Sequence, residues 1–202
     1  MMPRRSRWAG AALAASVLLS ACGGGDSVRT HDITRLVPAL AFSLEDDRGA
    51  KVSAQDYSGK VTLLLFGYTH CPDVCQTTLA ELAQTLRASG AGSEDARVLF
   101  VTVDPARDST AVMRAYAQAF GPRFVGLRGD AAALDALTRR YRVSYSLGKP
   151  DAQGQYEVNH SSAVFVFDRD GRARLLFTPK DAPDAMAQDL RRLMFGTAAA
   201  AG

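Results

Sequence analysis

The apolar residues of this chain are concentrated in three short and nearly continuous runs. These are Val61–Phe66 (VTLLLF), Arg97–Val103 (RVLFVTV) and Ser162–Asp168 (SAVFVFD). Short runs of β-branched, leucine and aromatic residues without polar alternation are typical of strands that are buried on both faces of a sheet. We therefore predict three core strands at these positions.

Four other segments repeat their apolar residues at helical spacing, and each predicts an amphipathic helix. The predicted helices run from Cys75 to Arg87, from Ala111 to Phe120, from Ala131 to Tyr141 and from Asp181 to Met194. Asp130 directly precedes the third of them and is a good candidate for its N-cap.

Alternating segments on either side of a turn predict two hairpins. Phe42 to Val52 alternates around a turn near residues 47–49, and Asp170-Gly171 turns the last core strand into an edge-like strand at Arg172–Phe177. The order of elements predicts an α/β fold with a central mixed sheet, flanking helices and an N-terminal hairpin.

The first residues have the features of an export signal. Arg4, Arg5 and Arg7 precede the apolar stretch from Ala11 to Leu19, which is too short to span a bilayer. Leu-Ser-Ala before Cys22 resembles a bacterial lipobox, which implies a lipoprotein signal peptide at 1–21 and a lipid on Cys22. The alternative is an ordinary secretory signal cut near Ala21, which leaves Cys22 as a stray thiol.

The rest of the chain is predicted to form one domain. The polar stretch that follows the signal predicts a lipidated N-terminus and flexible linker at 22–38, a domain at 39–196 and a flexible tail at 197–202. The 24 basic residues include three arginines of the signal, so 21 basic and 21 acidic residues remain after its removal. This balance gives no reason to expect a nucleic-acid partner.

Cys71 and Cys75 lie in the segment Gly67–Cys75 (GYTHCPDVC), between a core strand and a helix. A strand–cysteine–helix unit followed by a crossover and a terminal hairpin and helix is the thioredoxin-like layout. The helix start favours thiolate over thiol. Because a disulfide between two such close cysteines would restrain the unfolded chain little, we interpret the pair as a metal or redox site. The spacing alone does not decide between these two.

His160 favours the metal site. It precedes the last core strand, and in a thioredoxin-like sheet that position faces the cysteine turn. Two thiolates and an imidazole suit Cu(I), or Cu(II) with a fourth ligand, whereas structural zinc usually takes a fourth protein ligand. The alternative for His160 is a loop histidine with only local hydrogen bonds.

Several neighbouring residues have secondary roles in this interpretation. His70 is a competing ligand or a positive charge that helps to ionise a thiol, and His31 is expected to be a solvated linker residue. Asp73 is expected to cap the helix, and it also has the position to tune a metal from outside the ligand set. Asp104, Arg107 and Asp108 are expected to form a turn with a weak surface salt bridge.

The chain also resembles the Sco/SenC family. The resemblance is carried by Gly67–Cys75, Val103–Asp108 (VDPARD), Phe120–Leu127 (FGPRFVGL) and Val158–Ser162 (VNHSS), in the family order. It implies a membrane-tethered thioredoxin-like domain that binds one copper ion, Cu(I) or Cu(II), through Cys71, Cys75 and His160. It further implies a role in assembling the binuclear copper centre of a haem–copper respiratory oxidase.

Two positions differ from many members of that family. Gln76 stands where proline is common, and Asn159 stands where aspartate commonly precedes the histidine. Neither change removes a ligand, although the second alters the setting of His160.

The function predicted from these features is transfer of copper, as a metallochaperone rather than an enzyme. The implied partners are the copper-centre subunit of the oxidase, a periplasmic copper donor and a membrane reached through the lipid anchor. The implied location is the bacterial cell envelope, facing the periplasm, with the inner membrane favoured. The alternative is a thiol–disulfide reductase that keeps the cysteines of the oxidase subunit reduced, and a copper sensor or store and a peroxidase are weaker alternatives.

Overall fold

The computed structural model describes residues 28–92, 94–153 and 155–196. The predicted signal peptide at 1–21, the lipid site Cys22 and the tail at 197–202 lie outside these residues. The described strands are β1 His31–Asp32, β2 Ser43–Asp46, β3 Lys51–Ser53, β4 Val61–Gly67, β5 Ala96–Thr102, β6 Phe124–Arg128, β7 Tyr145–Leu147, β8 Val158–His160, β9 Val164–Phe167 and β10 Ala173–Phe177. The α helices are α1 Val74–Ala88, α2 Thr110–Gln118, α3 Ala131–Tyr141 and α4 Pro183–Phe195. None of the described helices is long and apolar enough to cross a membrane.

Eight strands form one mixed sheet, in the order β1-β10-β9-β4-β5-β6-β2-β3. The strands β4, β5 and β6 are parallel, and β9 runs antiparallel to β4. Every residue of β4 is buried, as its unbroken apolar sequence predicts for a strand covered on both faces. The predicted α/β fold with a central mixed sheet and an N-terminal hairpin is confirmed.

Helices cover the two faces of the sheet unequally. The helix α3 packs on one face, where Leu134 and Leu137 meet Leu64 and Leu99. The helices α1, α2 and α4 cover the other face, where their apolar residues meet Leu63, Leu65 and Val98 of the same two strands. Adjacent residues of β4 therefore enter opposite cores, because side chains alternate along a strand.

Several strands have no counterpart in the pattern of apolar residues. The strand β6 lies between α2 and α3 and extends the parallel centre of the sheet. The short strands β7 and β8 pair with each other in a separate two-stranded sheet. That second sheet carries His160.

Residues 29–33, which the sequence assigns to a flexible linker, pack on the domain. The strand β1 pairs with β10, so β10 is not the edge strand that its alternating arginines suggested. Ile33 is buried, and the backbone N–H groups of Arg29 and Thr30 donate to the carboxylate of Asp189 at 2.9 Å. A buried carboxylate needs such donors, and this requirement ties the segment to α4.

Candidate metal centre

The cysteine turn connects β4 to α1 in a very confined space. Gly67 ends β4, and a Cβ atom there would lie 2.6 Å from the ring of Phe100 and 2.8 Å from Sγ of Cys75. Only glycine fits this position without displacing one of these groups. The N–H of Cys75 donates to Sγ of Cys71 at 3.4 Å, so both sulfurs lie at the start of the helix. Both cysteines are free thiols and both are buried.

The imidazole of His160 reaches the cysteines from the end of β8. Its Nε2 lies 3.3 Å from Sγ of Cys75, and its Nδ1 lies 2.9 Å from the carbonyl oxygen of Ser161. Because a carbonyl only accepts hydrogen bonds, the Nδ1 carries a proton, and in the neutral imidazole the Nε2 then presents a lone pair to the sulfur. The ring of Tyr68 stands edge-on to the imidazole at 5.9 Å. The structure therefore brings together the three side chains that the sequence singled out.

This donor set fits a soft metal ion. The ligand atoms of Cys71, Cys75 and His160 all lie within 4.8 Å of one another, and the two cysteines are buried. Thiolate and imidazole ligands in low number match the preference of Cu(I).

The expectation that the helix start would favour thiolate does not hold for Cys75 in the metal-free protein. Burial raises the pKa of this thiol to about 12, and the neighbouring Cys71 adds to the rise. Desolvation disfavours the charged form more than the backbone hydrogen bond from Tyr68 favours it. A cation bound between the sulfurs would replace the proton, as it does at metal sites built from cysteine.

The other candidate residues lie outside the ligand group. His70 is half exposed, with its Nδ1 3.2 Å from the hydroxyl of Thr69. Asp73 occupies the N-cap position of α1, but its carboxylate accepts the hydroxyl of Thr77 at 3.1 Å and caps no backbone N–H. The capping prediction for Asp73 is therefore wrong, whereas the corresponding prediction for Asp130 is confirmed by its bond from the N–H of Ala133. His31 is largely exposed, with its Nε2 3.4 Å from a carboxylate oxygen of Asp181.

The expected surface salt bridge at residues 104–108 is also wrong. Asp104 is 1% exposed and Asp108 is fully buried, and Arg107 pairs with Asp104 through its Nε. The hydroxyl of Tyr156 donates to Asp104 at 2.7 Å across 52 positions of the chain. Sequence reasoning missed this because Tyr156 has no local pattern that links it to the turn. The one hint in the sequence is that two acidic residues, Asp104 and Asp108, follow a core strand directly.

Comparison with known proteins gives a consistent result. The sequence profile described as SCO1/SenC matches residues 35–195. The mitochondrial protein SCO2 homolog of Bos taurus is 39% identical over 155 residues, which cover 76% of this chain and 58% of that protein. The chain thus matches less than two thirds of the length of this relative.

Solved structures of similar proteins have the same fold. The structure of Bradyrhizobium japonicum ScoI with copper bound has a TM-score of 0.70 and 39% identity, over 78% of this chain and 99% of that one. Yeast Sco1 with copper bound has a TM-score of 0.69 and 29% identity, over 76% and 86% of the two chains. With its thioredoxin-like fold and a profile match over most of its length, the chain belongs to the SCO1/SenC family.

Proposed function

We propose that this protein binds one copper ion through Cys71, Cys75 and His160 and delivers it to the binuclear copper centre of a haem–copper respiratory oxidase. The observation that carries the proposal is the convergence of two thiols and one imidazole nitrogen within 4.8 Å. The chemistry of these donors favours copper, and two structurally similar relatives were solved with copper bound. The Sco family is one of cytochrome c oxidase assembly proteins.

The transfer follows from the low coordination number that Cu(I) tolerates. Thiolates of the oxidase subunit displace the ligands of this protein one at a time, through two- and three-coordinate arrangements. The neutral His160 is the ligand that leaves most readily, because the two thiolates alone suffice for Cu(I). A periplasmic donor supplies the copper in the first place.

The proposal includes a location in the bacterial cell envelope, facing the periplasm and held by a lipid on Cys22. The sequence Leu-Ser-Ala-Cys after an apolar stretch supports it. A role in oxidase assembly favours the inner membrane. Mass spectrometry of the mature N-terminus tests the anchor, since cleavage near Ala21 without a lipid would contradict it.

A second function has support in the same site. Both cysteines are free thiols, and their sulfurs lie within 4.8 Å of each other. As a reductase, the two thiols would pass two electrons and two protons to a disulfide of the oxidase subunit and would become a disulfide themselves. This activity would need no metal and would not depend on His160.

Copper titration of the reduced protein separates the two functions. The protein, beginning after Gly25, is titrated with Cu(I) and with Cu(II) under nitrogen, beside the variant His160→Ala. We expect one tight equivalent in the wild type, with intense sulfur-to-copper charge-transfer bands for Cu(II). The affinity of the variant for Cu(II) should fall much more than its affinity for Cu(I), because the two thiolates still hold Cu(I).

His31→Ala is the matched control, because His31 is exposed and lies outside the ligand group. It should bind copper as the wild type does. Weak, non-stoichiometric binding that His160→Ala leaves unchanged would contradict the copper function and favour the reductase.

A further inference from the structure

The turn between β5 and α2 contacts both segments that carry the proposed ligands. We call residues 104–108 the acidic turn. Its two carboxylates are buried, and Arg107 between them is only 17% exposed. Buried carboxylates are costly unless donors surround them, and the donors here come from different parts of the chain.

Asp108 contacts the cysteine turn. One of its oxygens accepts the hydroxyl of Thr69 at 2.5 Å, and the other accepts the N–H of Thr69 at 3.0 Å. The hydroxyl of Thr102, at the end of β5, donates to the second oxygen at 2.5 Å. Thr69 lies two residues before Cys71. The carboxylate therefore fixes the backbone just ahead of the first sulfur.

Asp104 and Arg107 contact the segment that leads into β8. Arg107 pairs with Asp104, donates to the carbonyl oxygen of Tyr156 at 3.2 Å and lies over the ring of Tyr156 at 3.7 Å. The hydroxyl of Tyr156 donates to Asp104, which closes the loop of contacts. Tyr156 is four residues before His160. The guanidinium is also 5.6 Å from the ring of Tyr68, which stands against the imidazole of His160.

The strands β7 and β8 contact the rest of the domain through side chains such as that of Val158, which is buried in the core with α3. They form a sheet of their own, and no strand of the main sheet pairs with them among the described residues. An isolated two-stranded sheet is only marginally stable. The position of His160 relative to the cysteines therefore depends on side-chain contacts.

We infer that the acidic turn positions the two halves of the metal site relative to each other, with Asp108 holding the cysteine turn and Arg107 with Asp104 holding the His160 hairpin. These are positioning residues, since none of them belongs to the ligand group. The inference deepens the proposed function and rests on it for its consequence in copper binding. The positioning itself is a property of the metal-free protein.

The first test is hydrogen exchange in the full chain, reduced and metal-free, comparing Arg107→Ala and Tyr156→Phe with the wild type. Arg107→Ala should speed exchange of the amides in β7 and β8 by at least about tenfold, because it removes a charged hydrogen-bond network. Tyr156→Phe keeps the ring and removes only the bond to Asp104, so a smaller increase at the same amides is expected. The amides at 69–75 should change little in both variants.

Asp108→Asn should give the opposite pattern, with faster exchange at residues 69–75 and little change in β7 and β8. Arg123→Ala is the matched control, because Arg123 is also partly buried and donates to the carbonyl oxygen of Ala91 at the other end of the sheet. It should lower stability without a local change at either half of the site.

The second test is copper affinity in the same variants. Arg107→Ala should weaken Cu(II) binding by at least about tenfold and Cu(I) binding by much less, as expected when only the imidazole is misplaced. Asp108→Asn should weaken the binding of both ions. Wild-type exchange and wild-type Cu(II) affinity in Arg107→Ala, or one common pattern in all the variants, would overturn the inference. Failure of the wild type to bind copper would instead overturn the proposed function, while the exchange pattern would still decide the positioning role.

Discussion

At the scale of single residues, the site depends on a position that has no functional group. Gly67 lets β4 end directly against Phe100 and Cys75, with no room for a methyl group. Overpacking of this kind forces neighbouring groups to move. The neighbour here is a proposed ligand, so the strain falls on the metal site.

Gly67→Ala should lower both stability and copper affinity. We expect a loss of about 1–3 kcal/mol in the free energy of unfolding, measured in urea, and weaker binding of Cu(I) and Cu(II) in the titration. Gly126→Ala is the control, because a Cβ there would lie 2.9 Å from Met113, in the core formed with α2. It should cost similar stability but leave copper affinity unchanged. Wild-type copper affinity in Gly67→Ala would show that Cys75 tolerates the shift.

The ligand residues could be predicted from the sequence, whereas the residues that hold them in place could not. Cysteine and histidine are rare in this chain, and a close cysteine pair after a core strand indicates chemistry by itself. Asp104 and Tyr156 are ordinary residues until the fold brings them together over 52 positions. The local sequence therefore predicts a weak surface salt bridge at a place where the fold forms a buried hydrogen-bond network.

At the scale of elements, the turn between β9 and β10 is built around one carboxylate. Asp168 accepts the N–H groups of Asp170 and Arg172 at 3.0 and 2.9 Å, and the side chains of Arg172 and Arg174 also donate to it. Burial raises the pKa of Asp168, but the hydrogen bonds from Arg172, Arg174 and Asp170 outweigh it and hold the pKa below its ordinary value of 3.8. The charged form therefore stabilises the hairpin.

Asp168→Asn should destabilise the protein more at neutral pH than in acid. A lowered pKa in the folded state means that the stabilisation is complete well above pH 3.8 and is lost as the pH falls through the folded-state pKa. We expect a loss of about 1–2 kcal/mol at pH 7, measured in urea, and a smaller difference at pH 3. Asp170→Asn, at a residue 67% exposed on the same turn, should have little effect. An equal loss at both pH values would contradict this account.

The elements that were predicted are the ones with strong local patterns. The strands β4, β5 and β9 are nearly all apolar, so their sequence alone is enough to predict buried strands. The strand β6 is five residues long, and the glycine at its centre weakens its strand pattern. The strands β1, β7 and β8 are only two or three residues long, too short to show an alternating pattern, and only their partners in space make them strands.

At the scale of the whole molecule, residues 29–33 are part of the domain. Asp189 is 2% exposed and accepts hydrogen bonds from Arg29 and Thr30, and Arg192 lies 3.4 Å from it. A protein that begins at residue 39, the predicted start of the domain, would lose β1, Ile33 and these donors. The buried carboxylate of Asp189 would then have fewer hydrogen-bond donors to offset the cost of its burial.

We expect the protein that begins at residue 39 to be less stable than one that begins at residue 26, by about 2–5 kcal/mol in urea unfolding. Asp189→Asn in both backgrounds provides the control as a double-mutant cycle. The substitution should cost stability in the longer protein and much less in the shorter one. Equal midpoints for the two lengths would mean that the segment adds nothing to the fold.

The pairing of β1 also sets the distance over which an anchored domain can act. His31 aligns with Leu176, Leu176 with Phe165 and Phe165 with Leu64, and β1 runs antiparallel to β4. The chain therefore enters the domain at the end of the sheet where β4 leads into the cysteine turn. From Cys22 to Val28 there are six residue steps, which span at most about 20 Å in any conformation. A lipid on Cys22 would thus keep the copper-binding end of the domain close to the bilayer, within reach of an acceptor near the membrane surface and out of reach of one deep in the periplasm.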